Sequence, residues 1–255
     1  MNSIIHKETQ MTIALRQTRD KLYHNANAFM YLIILQLLGY FLANNVGMSG
    51  SGTEYFSYTV RIASSVPLIF FTIIWMLLQG LHLAGEKSRE YYLVSNNFTA
   101  YFSDIAVLEI FAVTGGVTLL LSESFLQVMV SVLYENVTLQ ASFSEVGFIN
   151  YVSLFVTATL YLLMFGAAAY TVGILRARFK GRFFLGIFLL IALLIFGSVL
   201  AARLLGPAFG STIESAVNFY LHETRGMIWF LKMAVTIGAL YGISYLGIRN
   251  LEVNA

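Results

Sequence analysis

Three charged residues fall inside long apolar stretches of this chain: Asp104, Glu109 and Lys232. An ionisable group in such a stretch is costly, and it marks an ion path, a proton relay, a cavity lining or a structural pair. Asp104 and Glu109 are five residues apart. On a helix that spacing points them to different faces, so they make a poor acid–base pair. Asp104 is close to the edge of its stretch, where water can wet it. Glu109 lies about 12 Å into the stretch at 1.5 Å per helical residue. Lys232 lies near the end of its own stretch, placed to snorkel outward. A Glu109–Lys232 pair is mismatched in depth by roughly 10 Å. Structural or cavity-lining roles are therefore expected ahead of proton relay.

A second polar group lies outside the apolar stretches, in Glu86-Lys87-Ser88-Arg89-Glu90-Tyr91-Tyr92-Leu93-Val94. Gly85 is expected to break the preceding helix. Arg89 can then pair with Glu86 one turn back, while Tyr91 and Tyr92 give a new short helix an aromatic side. Such a helix suits a groove on another protein, or it rests on lipid headgroups. Ser95-Asn96-Asn97 is expected to end it.

Other chemistry is absent. No G-x-x-x-x-G-K-[ST] phosphate loop occurs, so the chain cannot handle ATP by that device. His222-Glu223 lacks the second His of H-E-x-x-H, and His6, His24 and His82 have no metal spacing. There is no cysteine, which excludes disulfides and thiolate sites. No metal site or catalytic set is expected.

The elements that carry these residues are membrane helices. Of 255 residues, 58% are hydrophobic and only 11% charged, against about 25% charged in soluble domains. A net charge of +2 is too small for a nucleic-acid footprint. The apolar residues come in continuous blocks and not in the alternation of a barrel. Blocks of about 20 residues are found at 29–46, 61–83, 101–121, 151–175, 183–204 and 227–248. The expected fold is all-α: a polytopic bundle of six transmembrane helices over residues 28–255, preceded by an interfacial helix over 1–27.

Lys and Arg set the orientation. Lys7, Arg16, Arg19, Lys21, Lys87, Arg89, Arg176, Arg178, Lys180, Arg182 and Arg249 fall on one side, and only Arg61, Arg203 and Arg225 on the other. Both termini are expected in the cytoplasm. The stretch Arg176–Arg182 is an anchor of this kind. Glu54, Glu123, Glu135, Glu145, Glu214 and Glu223 are expected outside.

Ile4, Met11, Leu15, Leu22 and Ala26 form one helical stripe. They are expected to face lipid, with Lys7, Arg16, Arg19 and Lys21 toward water or anionic headgroups. Met48-Ser49-Gly50-Ser51-Gly52 reads as a flexible loop. Phe125–Tyr134 either prolongs the third span or lies in the interface. Gly206, Pro207 and Gly210 break the chain, and a short helix can follow. For helix packing, Gly238 and Gly242 make a G-x-x-x-G, and Gly197 and Ala201 a small-x-x-x-small, usable within the chain or between copies. Gly115-Gly116 marks a flexible or close-packed point.

This layout resembles the permease subunit of ABC transporters of the ABC-2 type, the six-span exporter class. The amphipathic stretch through Ala26 resembles the family's connecting helix. Glu86 to Ser95, in the cytoplasmic loop 84–100, resembles its Glu-led coupling helix, with Asn96-Asn97 where the family often has a Pro. Gly206–Gly226 resembles its external broken helices, and Arg249-Asn250-Leu251-Glu252 its short cytoplasmic end. The resemblance implies a non-catalytic subunit in a bacterial cytoplasmic membrane. It implies a separate ATP-binding-cassette ATPase that binds the ATP, and a second permease, identical or related. Glu86, Lys87, Arg89, Glu90, Tyr91 and Tyr92 would then form the ATPase seat. Two other readings stay open: an ion-gradient-driven carrier, for which Glu109 is the candidate site, and an accessory or immunity protein with no transport cycle.

Overall fold

The computed structural model describes residues 10–43, 47–53, 56–90, 97–133, 137–140, 148–179 and 226–249. In chain order these form α1 (Gln10–His24), α2 (Asn27–Ala43), β1 (Gly47–Thr53), β2 (Phe56–Ser64), α3 (Val66–Glu90), α4 (Asn97–Leu133), β3 (Val137–Gln140), α5 (Phe148–Phe179) and α6 (Gly226–Arg249).

Among the described residues four stretches are long and apolar enough to cross a bilayer: Val66–Glu86, Phe98–Met129, Tyr151–Ala177 and Gly226–Ile248. The pair Met11–His24 and Asn27–Ala43, bent by 51°, makes a fifth if counted as one broken span. The chain is thus an integral membrane helical protein with four to five candidate spans. The block at 183–204 lies outside the described residues.

Elements follow the expected blocks with three corrections. The second span begins at Val66, not Arg61, because Phe56–Ser64 is the strand β2. The presumed flexible loop at 48–52 lies in β1. Its glycines hid it, since Gly is depleted in strands. Gly85 does not break α3, which continues to Glu90; a lone exposed glycine costs a helix only about 1 kcal/mol, too little to end a 25-residue helix. The third span does continue through Phe125, as α4 runs to Leu133. Its 37 residues reach about 55 Å at 1.5 Å each, well beyond the roughly 30 Å of hydrocarbon.

β1 and β2 pair antiparallel, with Gly47 opposite Ile62 and Thr53 opposite Phe56. β2 and β3 pair parallel, with Arg61 opposite Val137 and Ser64 opposite Gln140. The short sheet joins the α2–α3 connection to the chain that follows α4. It sits at the end of the bundle opposite the α1–α2 bend.

The helices pack around Trp75, Phe111, Leu32, Met76 and Tyr170, all buried. Phe111 meets the edges of Trp75 at 5.6 Å and Phe29 at 5.5 Å. The closest seam is α3 against α5. A Cβ at Gly80 would collide with the Gly166 carbonyl, one at Gly173 with Ala84, and one at Gly166 with Met76. Without a hydrophobic force between helices in lipid, such small residues allow the backbones to touch and gain dispersion contacts. Gly115 and Gly116 belong to a second close contact. A Cβ at the first would lie 3.0 Å from Leu162, and at the second 2.5 Å from the Thr159 hydroxyl. Gly238 and Gly242, in contrast, are exposed, and a Cβ at either meets nothing within 4 Å among the described residues. Gly80, Gly166 and Gly173 carry the closest packing among the described helices. Gly197 and Ala201 lie outside the described residues.

Candidate functional site

The polar residues of the described chain gather where α1 meets the bundle. α1 ends at His24, and Asn25-Ala26 form the elbow to α2. The elbow is closed by backbone bonds from Asn25 N–H to the Lys21 carbonyl (2.9 Å) and from Ala28 N–H to the Asn25 carbonyl (2.9 Å). α1 lies along α4 with Ala14, Thr18 and Asn25 buried, while Met11 and Leu15 remain exposed.

The Lys21 ammonium donates to the Asp104 carboxylate on α4. The Tyr170 hydroxyl of α5 donates to the second carboxylate oxygen at 2.7 Å. Asp104 is 1% exposed. Both expectations here are overturned. Asp104 is not wetted at a helix edge, because α1 covers it. Lys21 does not face water or headgroups, because its ammonium is spent on that carboxylate. A buried ion pair holds only if its remaining lone pairs are also satisfied, and Tyr170 supplies that bond. The three residues tie α1, α4 and α5 together.

The same region connects to α6. The Tyr101 hydroxyl donates to the Tyr241 carbonyl and lies 3.0 Å from the Ser244 hydroxyl. Thr171 donates to the Leu240 carbonyl at 3.1 Å. Midway along the bundle, the Gln36 amide donates to Thr118 (3.1 Å) and accepts from Ser122 (3.1 Å), binding α2 to α4.

Beside the ion pair is a cleft of about 540 Å³, lined from the elbow, α2 and α3. Glu86 stands at its mouth with its side chain 33% exposed. The Asn25 amide donates to it at 3.4 Å, and the His82 imidazole lies 3.7 Å away. The floor is Trp75, whose indole N–H donates to the Ala28 carbonyl at 2.8 Å.

Of the expected partner-facing residues, Glu86, Lys87, Arg89 and Glu90 are therefore the last turns of α3 rather than a separate short helix. Tyr91 and Tyr92 lie outside the described residues. Asn97 opens α4 rather than ending the loop helix. Glu109 is exposed and Lys232 half-buried. Asp104 and Glu109 do point to different faces, one buried and one exposed. Among the described residues no group of three or more His, Cys, Asp or Glu could hold a metal ion.

Sequence reasoning missed Glu123. It was placed outside, but it is 4% exposed within the span Phe98–Met129 and hydrogen-bonded to Ser65. One of its carboxyl oxygens has no hydrogen-bond partner. The available signal is that no Gly or Pro separates Leu119-Leu120-Leu121 from Glu123, and the apolar run resumes at Phe125.

No protein-family model, no curated protein and no solved structure matches this chain.

Proposed function

We propose that this chain is the membrane-spanning, non-catalytic permease subunit of an ATP-driven exporter, with the layout of the ABC-2 type. A separate cytoplasmic ATPase binds and hydrolyses the ATP, and a second permease, identical or related, completes the path. The observation that carries this reading is the junction at the end of α3. The helix runs on past its apolar span to Glu90. Glu86 on that extension is bonded to Asn25 of the elbow, and α1 is bonded through Lys21 to Asp104 and Tyr170. The α3 end is thus joined to α1, α4 and α5 through a chain of polar contacts.

An ATPase seated there changes the bundle only through contacts that differ between its two states. Arg89 and Glu90, with Tyr91 and Tyr92 beyond the end of α3, are the residues for such contacts. Glu86 relays them to the elbow.

A second reading, an ion-gradient-driven carrier, is favoured by one observation. Asp104 is a buried carboxylate held by Lys21 and Tyr170, so one acidic group joins three helices. Glu109, on the outer face of α4, is the other candidate for that reading.

The deciding experiment is gentle purification of the tagged chain from its native host, with mass spectrometry of what stays bound. A stoichiometric protein carrying a phosphate loop is expected. Recovery of a stable chain with no ATPase would overturn the exporter reading and favour the carrier or an accessory role.

A further inference from the structure

We propose that the cleft at the α1–α2 elbow binds an amphiphile with a protonated-amine headgroup, its amine at Glu86 and its tail between α2 and α3. The lining is divided along its length. Asn25, Asn27, Gln79, His82 and Glu86 occupy the elbow end, while Leu35, Leu78 and Trp75 lie deeper. From Asn27 to Leu35 along α2 is about 12 Å at the helical rise. The polar part therefore lies at the end of the bundle and the apolar part runs into the spanning region. That division matches an amphiphile lying parallel to the helices.

Charge selects the headgroup. Among the described residues no lysine or arginine lines the cleft, and Glu86 is the one carboxylate. Its contacts, the Asn25 amide at 3.4 Å and the His82 imidazole at 3.7 Å, are long. Among those residues an anionic headgroup would meet a like charge. An ammonium would meet the carboxylate at short range, with the Asn25, Asn27 and Gln79 amides available to a neighbouring phosphate. The volume of about 540 Å³ falls in the range of small-ligand sites, roughly 300–1,000 Å³. The Trp75 ring is fully buried, so Tyr31, Leu35 and Leu78 are the apolar surface that the cleft offers a tail. Two sources share this chemistry: an amine-headed membrane phospholipid and a soluble amphiphilic amine. The inference needs no ATPase and stands apart from the exporter reading.

Trp75 supplies the test. The chain has two tryptophans, and Trp229→Phe leaves Trp75 as the only emitter. The full-length variant is placed in phosphatidylcholine liposomes containing either brominated phosphatidylethanolamine or brominated phosphatidylglycerol, without any ATPase. Trp75 borders the cleft, so a bromine held there lies close to its ring, and dependence on headgroup and on Glu86 separates the cleft from the surrounding lipid. Phosphatidylethanolamine is expected to quench at about three-fold lower mole fraction, the effect of one partly exposed ion pair. Glu86→Gln should bring that ratio to about one. Leu35→Phe, which leaves Glu86 in place, should weaken quenching by both lipids.

Added dodecylamine separates the sources. Relief of the quench shows that soluble amphiphilic amines enter the same site. A retained phosphatidylethanolamine preference without relief shows a site confined to the lipid. Equal quenching by the two headgroups overturns the proposal, as does a preference that survives intact in Glu86→Gln, or quenching unmoved by Leu35→Phe.

Discussion

Lys21 and Asp104 stand 83 positions apart in sequence and form one ion pair, with side chains 11% and 2% exposed. The pair closes α1 over the bundle, and Tyr170 holds the second carboxylate oxygen. Removing one member leaves the other charged and buried. Asp104→Leu or Lys21→Met alone should therefore destabilise the chain by about 3–5 kcal/mol. The double variant Lys21→Met/Asp104→Leu should recover most of the loss, because an apolar pair of similar volume needs no desolvation of charge. Thermal unfolding in detergent, followed by loss of the monodisperse peak, measures this. Additive losses in the double variant would contradict the pairing.

The glycines separate into two classes with opposite expected effects. Gly80→Val and Gly173→Val put bulk where the Gly166 carbonyl and Ala84 already stand, so both should prevent α3 and α5 from closing and lower the yield of folded protein sharply. Gly85 is exposed within α3, with open space around its Cβ position. Gly85→Ala should stabilise the helix by about 0.5–1 kcal/mol, since the glycine carries only an entropic cost there. A destabilising Gly85→Ala would mean that α3 breaks at that point after all.

The contrast shows which parts of the fold were legible in sequence. Span length and apolarity placed α2 to α6, because a bilayer demands unbroken apolar runs whatever the neighbours do. Contacts between helices left a mark that is easy to pass over. Gly80 with Ala84 on α3 and Ala169 with Gly173 on α5 are small-x-x-x-small pairs that meet across the seam, yet the more conspicuous G-x-x-x-G at Gly238 and Gly242 drew the reading instead. Asp104 was legible as a buried-charge candidate. Its partner was not, since Lys21 belongs to a helix whose basic residues all read alike. The strands β1 and β2 were hidden because their pairing is set by register between segments, and β1 has a glycine-rich composition that argues locally against a strand.

The α3 extension gives a test of coupling that is separate from stability. Glu86→Ala, made together with Arg89→Ala, removes one long hydrogen bond from Asn25 and the 3.7 Å contact with His82. Thermal stability should change by no more than about 0.5 kcal/mol, as for surface substitutions. On the exporter reading, the affinity for the ATPase subunit should fall at least ten-fold, measured by co-purification at graded salt. Unchanged affinity and activity would remove these residues from the seat.

Glu109 provides the matching test of the gradient reading. It lies one helical turn and a half beyond Asp104 on α4, but on the exposed side. A carboxylate that serves an ion path must be shielded from bulk solvent and given partners that change through the cycle. Glu109 lies on the outer face of α4 within its apolar span, apart from the Lys21–Asp104–Tyr170 cluster. Glu109→Gln should therefore preserve expression, insertion and transport within about two-fold, since surface substitutions rarely exceed half a kilocalorie. Asp104→Asn, in contrast, keeps the shape of the buried site but strands the Lys21 charge, and should lower both stability and transport. If Glu109→Gln abolished transport with insertion and stability intact, while Asp104→Asn kept it, the ion path would lie on the exposed face of α4 and the exporter reading would give way.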